Sequence, residues 1–223
     1  MAIPTRSYLY VEGKDDVNTI GHLLSKHGFD CPMYNYQLDE SRFSRTVPFI
    51  RGSDGKADLL SSIPTAVQAS SGRSVGFVLD SDEKIEESWQ AVCGKLSEFN
   101  VDIPKRIPEN GYVFDVSSLN ARVGIWLMPD NQRSGALEDF LVDLVNKNDR
   151  LYPVAKSATI EAKNKGAQFS SNSERKAVLH AWLAWQREPG LPYGSAIKAE
   201  YFQVDGLTAS KFVNWYRILF EEN

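Results

Sequence analysis

Two stretches decide the fold: Ser7-Tyr8-Leu9-Tyr10-Val11-Glu12-Gly13-Lys14-Asp15-Asp16 and Ser74-Val75-Gly76-Phe77-Val78-Leu79-Asp80-Ser81-Asp82. Each opens with apolar, β-branched and aromatic residues, which favour a strand, and closes in a short acidic turn. After the first, Val17, Ile20, Leu23 and Leu24 recur at helical spacing up to Gly28, with Asp15 and Asp16 in the first turn where the helix dipole favours them. After the second, Ile85, Trp89, Val92, Cys93, Leu96 and Phe99 form another helical stripe. Residues 74–79 are almost continuously apolar, the signature of a strand covered on both faces in a parallel sheet. Both stretches therefore predict a strand, a tight turn and a helix.

The same alternation extends outward. Strands are expected over residues 33–38, 46–50, 112–116 and 123–128, with Pro48 placing the second of these at an edge or near a strand start. A helix over residues 56–70 is expected to kink or split at Pro64. Residues 135–145 carry a helical stripe of Leu137, Phe140, Leu141 and Leu144, residues 148–171 are polar and poorly patterned, and helices begin again near Asn172 and Thr208. The expected fold is α/β, with a Rossmann-like, mostly parallel sheet flanked by helices and a helical C-terminal extension. It is expected to form one domain over residues 1–223, with its core at about 5–147 and the helical C-terminal part at about 172–223.

Composition narrows the function. The 223 residues are 42% hydrophobic and 24% charged, enough apolar material for an ordinary globular core. A net charge of -4 argues against a surface that is basic throughout, while leaving room for a local basic groove beside an acidic site. Cys31 and Cys93 make no disulfide framework, and His22, His27 and His180 lack zinc-ligand spacing. The first residues lack the apolar core of a secretory leader, and no run approaches the ~18 apolar residues of a membrane span. These features predict a soluble cytoplasmic protein with no membrane partner.

Chemistry concentrates in the acids at the two turns. Ligands of open α/β sheets sit beyond the carboxyl ends of strands, near the point where strand order reverses. If the two strands are neighbours, Glu12, Asp80 and Asp82 converge there, with residues 80 and 82 on one side of an extended segment. Three such carboxylates repel one another, and a divalent cation with hard oxygen ligands, Mg²⁺ or Mn²⁺, relieves the repulsion. The plainer alternative is that each Asp only caps the helix that follows it.

The segment Tyr8 to Asp16, a hydrophobic strand followed by Glu-Gly and then acids, resembles the first motif of TOPRIM domains, and Gly76 to Asp82 resembles the second, Asp-x-Asp. The chain is most similar to small stand-alone TOPRIM-like bacterial proteins related to OLD-family nucleases. Trp126-Leu127-Met128-Pro129-Asp130-Asn131, Gly135 to Leu141 and Leu183 to Gln186 extend the likeness. The resemblance implies Mg²⁺ (or Mn²⁺) held by Glu12, Asp80 and Asp82, phosphodiester chemistry and a nucleic-acid substrate. Glu83-Lys84-Ile85 stands where many such second motifs carry a glycine, and neither a nucleophilic tyrosine nor a zinc module is found. The resemblance therefore points to nuclease-like rather than topoisomerase or primase activity.

Around that set, Asp16 fits the acid of Glu-Gly-x-x-Asp, with Asp15 as its rival, and Glu138 could join a second metal; first-turn charge complementarity is the alternative for each. Glu12 could serve as ligand or as general base. Lys176, near Lys163, Lys165 and Arg175, could neutralise phosphoryl charge, or lie on a solvated helix face. Lys56 follows Gly52-Ser53-Asp54-Gly55, which lacks the spacing and Ser/Thr of a P-loop and is expected to be only a glycine turn before a helix. Trp182, Trp185 and Trp215, with Tyr216 and Phe220, are expected in the core. Two rival functions remain: a non-catalytic metal or nucleotide-phosphate-binding module acting with a partner such as an ATPase, and a purely structural interaction protein. Oligomeric state is open.

Overall fold

A computed structural model of the chain describes residues 6–33, 42–44 and 46–221. Five strands, β1 (Tyr8–Val11), β2 (Phe49–Gly52), β3 (Ser74–Asp80), β4 (Tyr112–Val116) and β5 (Ala121–Met128), form one sheet of order β2-β1-β3-β5-β4. All neighbours are parallel except β4, which pairs antiparallel with β5 at one edge. Helices α1 (Lys14–Lys26), α2 (Lys56–Ala69), α3 (Ile85–Leu96), α4 (Leu137–Asp143), α5 (Leu151–Asn164), α6 (Glu174–Leu183), α7 (Tyr193–Lys198) and α8 (Leu207–Phe220) surround it. The expected α/β architecture is thus the observed one. The chain leaves β1 through α1 to β2 on one side, then returns through α2 to β3 on the other side of β1. Strand order therefore reverses between β1 and β3, whose residues pair as Tyr8 with Val75 through Val11 with Val78.

The sheet is covered on both faces, which is why β3 and β5 lack a polar alternation. Val75, Phe77, Leu79, Val123, Ile125 and Leu127 pack under α2 and α3. Leu9, Val11, Val78, Trp126 and Met128 share the opposite core with α1, α4 and the C-terminal helices α6, α7 and α8. Two glycines let α8 lie directly on the sheet. A Cβ at Gly76 or Gly124 would stand 2.8 or 2.5 Å from Leu219 Cδ2, against the Trp215 ring as well.

Several expectations need correction. Helix α2 is not split at Pro64 but continues to Ala69; a half-exposed proline frees only the Leu60 carbonyl, which water can serve. The stretch at 148–171, expected to be unpatterned, contains α5. Asp149 Oδ1 accepts the N–H groups of Leu151 (2.8 Å) and Tyr152 (2.6 Å), and the chain leaves the helix through Gly166 at φ +99°. Its buried stripe is only Ala155 and Thr159, too small and polar to register as periodicity. The short α7 was not foreseen either; it packs on α1, where a Cβ at Gly194 would stand 2.7 Å from the Asn18 carbonyl oxygen. Trp182 and Trp215 are buried as expected, but Trp185 is 42% exposed. The edge strand expected at 46–50 begins at Phe49 and runs to Gly52. Of the strand expected at 33–38, Met33 makes a parallel bridge to Ile50, and residues 34–38 lie outside the described residues. Both cysteines are free, and among the described residues no helix is long and apolar enough to cross a membrane.

Candidate functional site

Parallel pairing of β1 with β3 sets the site. Glu12 is the first residue past Val11, and Asp80 ends β3 two residues past Val78, the partner of Val11. The Asp80 amide donates to Glu12 Oε1 at 2.8 Å. Asp80 Oδ1 in turn accepts the amide of Leu137, the first residue of α4, at 3.0 Å. One oxygen of each carboxylate is thus fixed by a backbone N–H, and the second has no hydrogen-bond donor among the described residues. The two acids that the sequence placed on separate strand ends are brought together.

Burial and mutual repulsion leave these acids reluctant to ionise. Burial, with Glu12, Asp16 and Glu138 nearby, pushes the Asp80 carboxyl up to about 9. Glu12 is pushed up to about 7, again mainly by burial, against the lowering effect of the Asp80 amide. Asp16, in the first turn of α1, rises to about 6 by burial and by the charges of Glu138 and Asp15, although it accepts the Gly13 amide. Glu138, in the first turn of α4, is half-buried and faces the same volume. Asp15 and Asp16 divide: Asp16 turns inward and Asp15 is exposed.

Asp82 departs from its expected place. A two-residue spacing puts both side chains on one side only in extended backbone, but Asp82 takes φ +53° and its amide bonds to the Gly135 carbonyl at 2.8 Å, so the chain turns and the side chain is exposed. Lys56 holds it there in an ion pair. Lys56 Nζ also donates to the Asp80 carbonyl at 2.6 Å and to Ser88 Oγ at 2.8 Å. The glycine turn before α2 was anticipated; the role of its lysine was not. Gly55, just before it, takes φ +89° and its amide bonds to the Glu12 carbonyl at 2.9 Å, which sets the start of α2 at the strand end.

Supporting contacts hold the floor rigid. Buried Ser81 accepts the Gly135 amide at 2.9 Å and donates to the Met128 carbonyl at 2.6 Å, tying the end of β3 to the loop between β5 and α4. A short stretch before and within α6 spans the rim. Asn172 donates to Glu83 at 3.1 Å, Arg175 pairs with Asp139 at 2.5 Å, and Lys176 lies 3.7 Å from Glu138 and 3.9 Å from Asp15. The structure thus brings Lys176 to the acids, at the edge rather than the centre. Asp139 was not singled out from the sequence; it also accepts the Ala136 amide at 2.9 Å and so fixes the start of α4.

The chemistry of the set suits a hard cation. It offers oxygen donors only, on a backbone-oriented floor, with one carboxylate oxygen left over on each of Glu12 and Asp80. Among the described residues no group of three or more Asp, Glu, His or Cys side chains stands close enough together to hold a metal ion as it is. Glu12, Asp80, Asp16 and Glu138 would be the residues to hold an ion, and Asp82 would join only after leaving Lys56.

A family model described as protein of unknown function, DUF3226, matches residues 6–221. No curated protein and no solved structure matches the chain.

Proposed function

The chain belongs to the family DUF3226, whose description assigns no activity, and we propose that its acidic cluster binds Mg²⁺ or Mn²⁺ and processes phosphodiester bonds in nucleic acid, as the TOPRIM-like motifs imply. One observation carries the reading. Glu12 and Asp80, from strands that flank the reversal of strand order, are bridged by a 2.8 Å hydrogen bond and keep one carboxylate oxygen each without a donor. Capping alone does not account for this, because Glu12 spends its bond on β3 and not on the helix that follows it.

When bound, a divalent cation there polarises a phosphoryl oxygen and lowers the pKa of a coordinated water. The chain's own groups do the rest. Asp80 is oriented by the Leu137 amide, and Glu12 by the Asp80 amide. Where its neighbours hold the ion, Glu12 is the group to accept a proton from an attacking water. Lys56, paired with Asp82, and Lys176, beside Glu138, supply the positive charge to offset charge building on a phosphoryl group.

A second reading rests on Lys56, whose grip on Asp82 leaves the second acid of Asp-x-Asp outside the cluster. In that reading the protein binds a nucleotide phosphate with its cation, without turnover, and serves a partner such as an ATPase. One screen separates the two. Wild type, Glu12→Gln and Asp80→Asn are incubated with labelled single- and double-stranded DNA and RNA in Mn²⁺ and in Mg²⁺. Metal-dependent cleavage by wild type, reduced more than about 100-fold in both variants, is the expected result. Metal-dependent nucleotide binding without cleavage favours the second reading, and equal cleavage by all three proteins removes Glu12 and Asp80 from the site.

A further inference from the structure

Charge is distributed very unevenly along this chain. Residues 147–187 hold eight Lys and Arg against three Asp and Glu, whereas the remaining residues hold seventeen against twenty-six. That basic block folds as α5 and α6, and α6 borders the acidic cluster through Arg175 and Lys176. The first turn of α5 lies on α6 at the same end: the Tyr152 ring meets Trp182 at 6.4 Å, and its hydroxyl feels the charges of Arg175 and Asp139. The start of α5 therefore lies beside Arg175, at the rim of the site.

Three cations of this surface, Lys147, Arg150 and Lys156, are exposed and have no ion-pair partner among the described residues. Helix α5 buries only Ala155 and Thr159, so most of its circumference faces solvent. Unpaired cations on an exposed helix, next to a strongly acidic pocket, are not explained by stability. Like charges on one helix contribute nothing to its folding; Glu161 offsets Lys165 at the end of α5, and Lys147, Arg150 and Lys156 have no such ion pair among the described residues.

We propose that the exposed face of α5 and the loop before it, carrying Lys147, Arg150 and Lys156, is a docking track for the phosphate backbone of a nucleic-acid strand, leading to the acidic cluster past Arg175 and Lys176. The proposal rests on the phosphodiester reading for its choice of polyanion. The arrangement divides the labour: the acidic centre repels a bare phosphate chain, and the basic track beside it holds that chain in place by releasing counterions. Its contacts are to phosphates, so the track grips without reading sequence.

The test is binding of a fluorescent 30-nucleotide single strand and a 30-base-pair duplex in EDTA, across a salt series. The triple variant Lys147→Glu, Arg150→Glu, Lys156→Glu is compared with a control of equal charge change on the other side of the sheet, Lys95→Glu, Lys105→Glu, Arg106→Glu. The expected result is binding weakened more than about tenfold by the α5 variant at 100 mM salt, with a salt slope shallower by about 2 to 3, and a change under about twofold in the control. Equal weakening by both variants, or by neither, overturns the track. So does poly-glutamate of matched charge that competes as well as the oligonucleotide, which would make the partner an acidic protein. Because no metal is present, the outcome is independent of cleavage, so failure of the track and failure of the metal site are told apart.

Discussion

Replacing Asp80 with asparagine should make the metal-free protein less sensitive to rising pH. The Asp80 carboxyl is pushed to about 9 in the fold by burial and by the charges of Glu12, Asp16 and Glu138, whereas in the unfolded chain it ionises near ~4. Between those values the folded state keeps a proton that the unfolded state has released. Stability therefore falls as pH rises, by about 1.4 kcal/mol for each unit and each proton retained. From pH 5 to pH 8 this comes to as much as about 4 kcal/mol for Asp80 alone. For a chain of this size about 1 kcal/mol moves the melting temperature by ~2–4 °C, so the loss is roughly 8–16 °C. Asparagine keeps the Oδ1 acceptor for the Leu137 amide and has no proton to lose. Thermal melts in EDTA at pH 5, 6, 7 and 8 should show the wild-type curve descending toward the variant's, or crossing it. Excess Mg²⁺ should restore wild type more at pH 8 than at pH 5, since the cation then takes the proton's place, and should do little for Asp80→Asn. Parallel pH profiles for the two proteins would refute the reasoning.

Lys56→Met removes the hydrogen bonds to the Asp80 carbonyl and Ser88 hydroxyl and the ion pair to Asp82; urea unfolding at pH 7 should show a loss of ~1–3 kcal/mol. Because Lys56 also lowers the Glu12 carboxyl, that group should titrate higher in the variant, which carboxyl NMR would show. Ser81→Ala leaves the buried Gly135 amide without its acceptor and should cost ~1–3 kcal/mol in the same unfolding assay. Gly194→Ala sets a methyl 2.7 Å from the Asn18 carbonyl oxygen, where the backbone of α1 cannot yield; a loss of ~1–3 kcal/mol is expected by thermal or chemical unfolding.

Much of the sheet was legible because apolar runs such as residues 74–79 and 123–128 are long, continuous and bounded by polar turns. Glu12 and Asp80 were legible for the same reason: each ends such a run, and parallel pairing makes equivalent ends meet. Asp82 was misplaced because a two-residue spacing fixes side-chain direction only in extended backbone, and the chain turns left-handed there. The role of Lys56 was not legible because its glycine turn lacks phosphate-loop spacing and its partners lie on β3 and α3, far away in sequence. Helix α5 escaped notice because a helix buried along only Ala155 and Thr159 leaves no hydrophobic period; its cap Asp149 and terminal Gly166 were the readable signals.

The most direct test of a shared cation on Glu12 and Asp80 is calorimetric titration of Mn²⁺ into wild type, Glu12→Gln and Asp80→Asn at pH 8. One ion per wild-type chain, bound with proton release and weakened more than about tenfold in each variant, is the predicted result. The same affinity in all three proteins, or no binding to wild type at millimolar Mn²⁺, would contradict it.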